Sequence, residues 1–133
     1  MTKKIRVLLM EDEKNAGFDI VKVLYEKLVG LLEESREIEL MVSSYSEMKQ
    51  RFVSADVVLV GYPNRELIPR LAYLYGKTTY VDMIDLPAYS VMDAEGVMRQ
   101  IMAIKEMDQQ DFTVHHQNKW SILCSFKKEK NRV

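Results

Sequence analysis

Four charged residues follow the first apolar run of the chain and are the first candidates for chemistry. The run IRVLLM ends in Glu11, Asp12, Glu13 and Lys14. In an open α/β sheet, ligands bind beyond the carboxyl ends of the strands. The loop after the first strand is therefore the default place for a site.

This loop, residues 11 to 18, is poorly suited to phosphate. It contains one glycine, Gly17, no serine or threonine, and three carboxylates, whereas loops that cradle phosphate use small residues and free backbone amides. The carboxylates would repel a bound phosphate unless Lys14 or a metal compensated. Two interpretations stay open: a functional acidic site, or a solvated acidic turn that favours the positive end of the next helix.

Strand and helix patterns alternate along the chain and would position this loop. Buried strands are predicted at residues 5–10, 38–42, 56–60 and 78–84, because each is a short, continuous apolar run. Helices are predicted at residues 19–34, 46–52, 65–76 and 93–107 from apolar side chains at helical spacing. Ser46 and Asp93 are predicted caps, Pro69 is expected only near a helix start or at a kink, and Gly76 is a stop signal. Strict alternation predicts a doubly wound parallel sheet.

Composition narrows the class of protein. The 133 residues suit one domain; 47% are apolar and the net charge is −1, which gives no indication of binding to nucleic acid. The apolar runs are shorter than the roughly 20 residues that cross a bilayer, so we expect a cytoplasmic protein. A lone Cys124 and the adjacent His115 and His116 predict neither a disulfide nor a metal site, and no cofactor is expected.

Residues 108–133 break the alternating pattern. They contain two strand-like runs, FTVHH and WSILCSF, separated by a polar QNK turn and followed by a basic tail. Both a β-hairpin and an unstructured extension fit this composition. We therefore treat residues 1–107 as the domain and residues 108–133 as a C-terminal extension.

The acidic turn invites comparison with the receiver domain of response regulators. The segment VLLMEDE looks like the start of such a domain, where an acidic pair after the first strand helps to bind magnesium beside a phosphorylated aspartate. The receiver pattern places that aspartate at the end of the third strand, where this chain has Gly61. A degenerate receiver is therefore an alternative that keeps the acidic pair and lacks the phosphoacceptor.

The middle of the chain resembles another family more fully. The segments SADVVLVGYPNRELIPRLAYLYG and TTYVDMIDLPAYSVMDAEGVMRQIMAI are similar to the IIB component of the lactose/cellobiose class of the bacterial sugar phosphotransferase system. The likeness runs from residue 4 to about residue 107. The matching positions are Ala55 to Gly61, Val81 to Asp85, Tyr89, Met92, Asp93, Glu95 and Val97.

This resemblance implies a three-layer fold with a four-stranded parallel sheet in the order 2-1-3-4. It also implies a mechanism in which a cysteine at the end of the first strand accepts a phosphoryl group from a IIA histidine and passes it to sugar on the IIC permease. Here Glu11 stands at the cysteine position. The phosphate-loop positions are occupied by Asp12, Glu13, Lys14, Asn15, Ala16, Gly17 and Phe18.

The loss of the cysteine predicts a IIB-like protein that works by protein recognition. Its expected partner is a IIA-like, IIC-like or regulatory protein of the phosphotransferase system, met by a rim formed by Gly61, Tyr62, Pro63, Asn64 and Arg65. Glu11 is interpreted either as a mimic of the phosphorylated state or as a solvated, inert side chain. The alternative enzyme is an active phosphocarrier that uses Glu11 or Cys124 as its acceptor.

Overall fold

Four parallel strands form the centre of the domain. A computed structural model describes residues 4–12, 19–33 and 37–107. The strands are β1 (Ile5–Met10), β2 (Ile38–Ser43), β3 (Val57–Val60) and β4 (Tyr80–Met83). They lie in the order β2-β1-β3-β4, and all three neighbouring pairs are parallel. The predicted α/β fold and strand order are confirmed.

Helices cover both faces of this sheet. They are α1 (Ile20–Leu31), α2 (Tyr45–Gln50), α3 (Ile68–Tyr75), α4 (Leu86–Ser90) and α5 (Ala94–Lys105), with a 3-10 helix (Tyr62–Leu67) before α3. On one face α1, α4 and α5 pack on the sheet, and Leu24 and Ile101 are fully buried there. On the other face α2 and α3 pack on it through Met48 and Leu71. The chain thus forms the predicted three layers.

The strands differ in how well they are covered. Every residue of β3 is buried, and β1 is buried except at Arg6, as continuous apolar runs predict. The same expectation is wrong for β2, where Glu39 is exposed and Leu40, Met41 and Val42 are only half-buried. The reason is position, since β2 is an edge strand with no neighbour on one side.

The first two helices depart from their predicted bounds. Asp19 caps α1 rather than beginning it, and Leu31 is half-exposed, so the buried stripe is carried by Val21, Leu24 and Leu28. The cap of α2 is Ser44, whose hydroxyl accepts a hydrogen bond from the backbone N–H of Glu47; it is not Ser46. Both corrections move a helix start by one or two residues, where local patterns are least decisive.

The later two helices are shorter than predicted, because α3 begins at Ile68 and not at residue 65, and α5 ends at Lys105 and not at residue 107. Pro69 lies in the first turn of α3 and Gly76 ends it with a φ of 78°. Asp93 precedes α5 as predicted, but its side chain makes no capping hydrogen bond. The 3-10 helix and the five-residue α4 were not predicted.

Two further findings concern the limits of the fold. The C-terminal extension, residues 108–133, lies outside the described residues, and so does its predicted hairpin. Within residues 4–12, 19–33 and 37–107, no helix has both the length and the apolar character that crossing a membrane requires.

Candidate functional site

The candidate site lies at the carboxyl edge of the sheet, where β1 ends beside β2 and β3. The backbone N–H of Glu11 donates to the carbonyl of Ser43 at 2.9 Å, which carries the pairing of β1 with β2 one residue past the strand. Parallel strands bring their carboxyl ends to the same edge. Glu11, Asp12 and Gly61 therefore meet there although the chain separates them.

Glu11, at the implied phosphocysteine position, faces a lysine. Its Oε1 atom lies 3.9 Å from Nζ of Lys22, in the first turn of α1. The Glu11 side chain is 25% exposed and that of Lys22 is 57% exposed. An ion pair of this length and exposure contributes little to stability.

Asp12, by contrast, is buried. Only 7% of the residue is exposed, and its Oδ2 accepts a hydrogen bond of 2.7 Å from the hydroxyl of Tyr89 in α4. Its Oδ1 has no hydrogen-bond partner among the described residues. The interpretation of this turn as simply solvated is therefore wrong at Asp12, because the second acid belongs to the core.

Burial determines the ionisation of this pair. Desolvation raises the pKa of Asp12 above its ordinary value, and the negative charge of Asp19 adds to the effect. The hydrogen bond from Tyr89 and the backbone amides of Val21 and Ile20 act in the opposite direction without cancelling it. The pKa of Tyr89 is also raised, first by burial and then by the Asp12 carboxylate. Proton loss is thus opposed at both ends of the hydrogen bond.

The carboxylate of Asp19 bonds to the backbone at both described ends of the loop after β1. Oδ1 of Asp19 accepts hydrogen bonds from the backbone N–H of Asp12 at 3.3 Å and from that of Lys22 at 3.1 Å. The same side chain therefore caps α1 and holds the residue that follows β1. Residues 13–18, the remainder of the implied phosphate loop, lie outside the described part of the chain.

Gly61 leaves the space that the Asp12 side chain fills. A Cβ atom at this position would lie 2.5 Å from Oδ1 of Asp12 and 2.8 Å from Cε2 of Tyr89. The φ of Gly61 is −67°, so close approach and not backbone conformation requires glycine. A side chain at the place where a receiver domain carries its aspartate would collide with this pair.

The predicted partner rim is divided between surface and core. Tyr62 is 40% exposed, and the guanidinium carbon of exposed Arg65 lies 4.0 Å from the centre of its ring. Pro63 is half-buried, Gly61 is buried and Asn64 is 1% exposed. Of the predicted rim, Tyr62 and Arg65 therefore lie at the surface, whereas the side chain of Asn64 is turned inward by the 3-10 helix.

Comparison with protein-family models and with curated proteins assigns no family to this chain. No protein-family model matches the chain, and a search of curated proteins finds no significant match.

Sequence reasoning missed the two residues that form hydrogen bonds with Asp12. Tyr89 was noted only as one position of the resemblance, with no role, although it lies 77 residues from Asp12 and bonds to it. Asp19 carried a usable signal, since an aspartate directly before a helical pattern is a common cap. Cys124 lies beyond the described residues.

Proposed function

We propose that this chain is a IIB-like domain of the lactose/cellobiose type that has lost phosphoryl transfer and acts by protein recognition. The strand order β2-β1-β3-β4 supports the proposal because the resemblance implies that order. We place the protein in the cytoplasm, where it would bind a IIA-like, IIC-like or regulatory protein of the phosphotransferase system.

The observation that carries the proposal is the chemistry at the end of β1. Glu11 offers a carboxylate in place of a thiolate, and among the described residues one lysine, Lys22, lies near it. Asp12 and Asp19 add negative charge within the same few residues. Phosphoryl transfer depends on positive groups that stabilise the equatorial oxygens of the phosphoryl group. This arrangement disfavours an incoming phosphoryl group.

The surface beside Glu11 has features that suit recognition. Arg65 stacks on the ring of Tyr62, and its Nη1 donates to the Tyr62 carbonyl at 3.0 Å, so two contacts favour one arrangement of this exposed pair. Tyrosine and arginine are the residue types most often found at the energetic centre of protein interfaces. We therefore propose Tyr62 and Arg65 as the centre of the partner surface.

A phosphorylation assay tests the loss of transfer. The full chain is incubated with the general phosphotransferase proteins, a panel of IIA proteins and labelled phosphoenolpyruvate, and a cysteine-bearing IIB protein of the same class serves as the positive control. We expect label on the control and none on this chain. Stable label on this chain, removed by Glu11→Gln or by Cys124→Ser, would establish the alternative phosphocarrier.

A binding assay tests recognition separately. The same IIA proteins, in free and phosphorylated form, are titrated into the labelled chain and followed by NMR. We expect shifts centred on Tyr62 and Arg65, and a loss of affinity of tenfold or more in Arg65→Ala. Tyr73→Ala is the matched control because Tyr73 is 93% exposed on α3. If no phosphotransferase protein, including IIC and regulatory domains, shifts any resonance, the recognition proposal is wrong.

A further inference from the structure

The two edges of the sheet differ in how many backbone groups they leave open. On β4 the even-numbered residues bond to β3, beginning with the 2.9 Å hydrogen bond that the Tyr80 N–H donates. Val81 and Met83 therefore point their N–H and carbonyl groups outward. Side chains cover those of Met83, since its N–H donates to Oδ1 of Asp82 at 2.7 Å and its carbonyl accepts from Nε2 of Gln100 at 3.0 Å. Among the described residues of β4, only Val81 keeps outward groups without a partner.

The β2 edge leaves more backbone groups open. The carbonyls of Glu37 and Ser43 accept from β1, so the odd-numbered residues of β2 bond to β1. By alternation, the N–H and carbonyl groups of Ile38, Leu40 and Val42 point outward. No hydrogen bond from a described residue reaches these groups. An open edge of this kind is a template for pairing with another strand.

A second copy of the same strand can satisfy all of these groups at once. We propose that the chain forms a symmetric dimer in which β2 of one copy lies antiparallel to β2 of the other, with Leu40 opposite Leu40 and Ile38 opposite Val42. A two-fold axis brings the same residues of both copies together. In antiparallel strands, two opposed residues whose backbone groups point toward each other exchange both hydrogen bonds. Every outward group of both strands is then paired, and the two sheets become one.

Completeness and charge select this register over its neighbours. Moving the axis one residue toward the start of β2 puts Glu39 of each copy opposite the other, and like charges directly opposite each other destabilise a strand pair. Moving it one residue the other way puts Ile38 opposite Ser44, which caps α2 and lies past the end of β2. Either shift carries one outward residue of each copy beyond the partner strand. Centring the axis on Leu40 avoids both faults.

The α2 face of the dimer brings opposite charges together. Glu39 lies opposite Met41 of the second copy, and both side chains are on the α2 face by alternation. Arg51, at the end of α2, lines the groove beside Met41 together with Glu47, whose carboxylate accepts from the Ser43 hydroxyl. Glu39 and Arg51 are exposed, and neither has an ion pair with a described residue. The second copy supplies each of them with the opposite charge.

The other face of the dimer joins two apolar rows. Ile38, Leu40 and Val42 point to the side of the sheet that α1 and α5 cover. Leu40 and Val42 are only half-buried there, and pairing with the same row of a second copy removes more of their apolar surface from water. Glu37 comes to lie opposite Ser43 of the second copy. Its charge is already met within its own chain by Lys105, at 2.9 Å.

Sedimentation and hydrogen exchange on the unmodified full chain test the dimer. We expect the mass of two chains at high concentration and of one chain on dilution. The amides of Leu40 and Val42 should be protected only where the dimer forms, whereas those of Glu39 and Met41, which bond to β1, should be protected throughout. A single chain at every concentration would overturn the proposal. Protection of Leu40 and Val42 in a monomer would also overturn it, because the chain would then cover its own edge.

A charge swap locates the interface. Glu39→Arg and Arg51→Glu each bring like charges together twice, once in each half of the dimer, so each should raise the dissociation constant about tenfold. The double variant restores opposite charges and should bind more tightly than either single variant. Arg70→Glu is the matched control, since Arg70 is exposed on α3, and it should change little. Single reversals without effect, or a double variant no tighter than the single ones, would overturn the proposal.

A proline at the centre of β2 tests the backbone pairing itself. Leu40→Pro removes an outward N–H and leaves the bonds of Glu39 and Met41 to β1 in place. We expect no dimer at concentrations where the unmodified chain dimerises. Leu40→Ala keeps the N–H and controls for the lost side chain. A folded Leu40→Pro that still dimerises would overturn the proposal, and if it does not fold, the charge swap at exposed positions decides.

Discussion

The hydroxyl of Tyr89 donates a 2.7 Å hydrogen bond to Oδ2 of Asp12, and this contact joins the loop after β1 to α4 across the carboxyl edge of the sheet. The two residues are 77 positions apart. The contact is buried, so each group depends on the other in place of water.

Removing the tyrosine hydroxyl should destabilise the fold. In Tyr89→Phe both oxygens of Asp12 lack a donor among the described side chains, because Oδ1 already has none. We expect the free energy of unfolding in urea to fall by about 1–3 kcal/mol, the cost of an unsatisfied buried polar group. Tyr73→Phe, at a highly exposed position, is the control and should change stability by less than about 0.5 kcal/mol. Equal effects would mean that the hydrogen bond is energetically unimportant.

The stability of the fold should depend on pH through the ionisation of Asp12. Burial raises its pKa in the folded chain, so the folded state binds more protons than the unfolded state. The resulting stabilisation is complete below the unfolded pKa, about 3.9, and is lost as the pH rises through the folded pKa.

Asp12→Asn should remove this dependence. From pH 4 to pH 7 we expect the stability of Asp12→Asn to increase relative to that of the unmodified chain. Urea unfolding at a series of pH values measures it, with exposed Glu95→Gln as the control. If the stability difference between Asp12→Asn and the unmodified chain stays constant over this pH range, the pKa of Asp12 is not raised.

Replacing Gly61 and Gly30 by alanine should change stability in opposite directions. Gly61→Ala forces a methyl group against Asp12 and Tyr89, and overpacking of this kind costs about 1–3 kcal/mol. Gly30→Ala lies in α1, where a new Cβ meets nothing within 4 Å. It should gain about 0.5–1 kcal/mol from helix propensity. Thermal unfolding of both variants measures the two effects. If Gly61→Ala does not change stability, the side chains of Asp12 and Tyr89 can move aside at little cost.

Gln100 bonds to the backbone at the end of β4, and removing its side chain should weaken the structure locally. Gln100 accepts from the backbone N–H of Asp85 at 2.8 Å and donates to the carbonyl of Met83. Gln100→Ala should therefore cost about 1 kcal/mol and speed hydrogen exchange at Asp85. Arg99→Ala is the control, since its ion pair with Asp93 at 3.7 Å is largely exposed and contributes little. Unchanged exchange at Asp85 would mean that water replaces the glutamine.

Much of the fold could be predicted because its signals are local. Continuous apolar runs predicted all four strands, and the alternation of strand and helix predicted the parallel class. In α5 the apolar residues whose helical spacing predicted this helix, Val97, Ile101 and Ile104, form its buried stripe. Short elements such as α4 contain too few residues to show a period, which is why they were missed.

By itself, the sequence of this protein determined the secondary-structure order, the absence of a cysteine at the end of β1 and the acids that stand there. Only the tertiary structure decided what those acids do: Glu11 lies near Lys22 at the surface, while Asp12 is buried beneath Tyr89 and against Gly61. The physical reason is that residue type and spacing set local conformation. Burial and hydrogen-bond partners depend on which distant segments the sheet brings to the same edge.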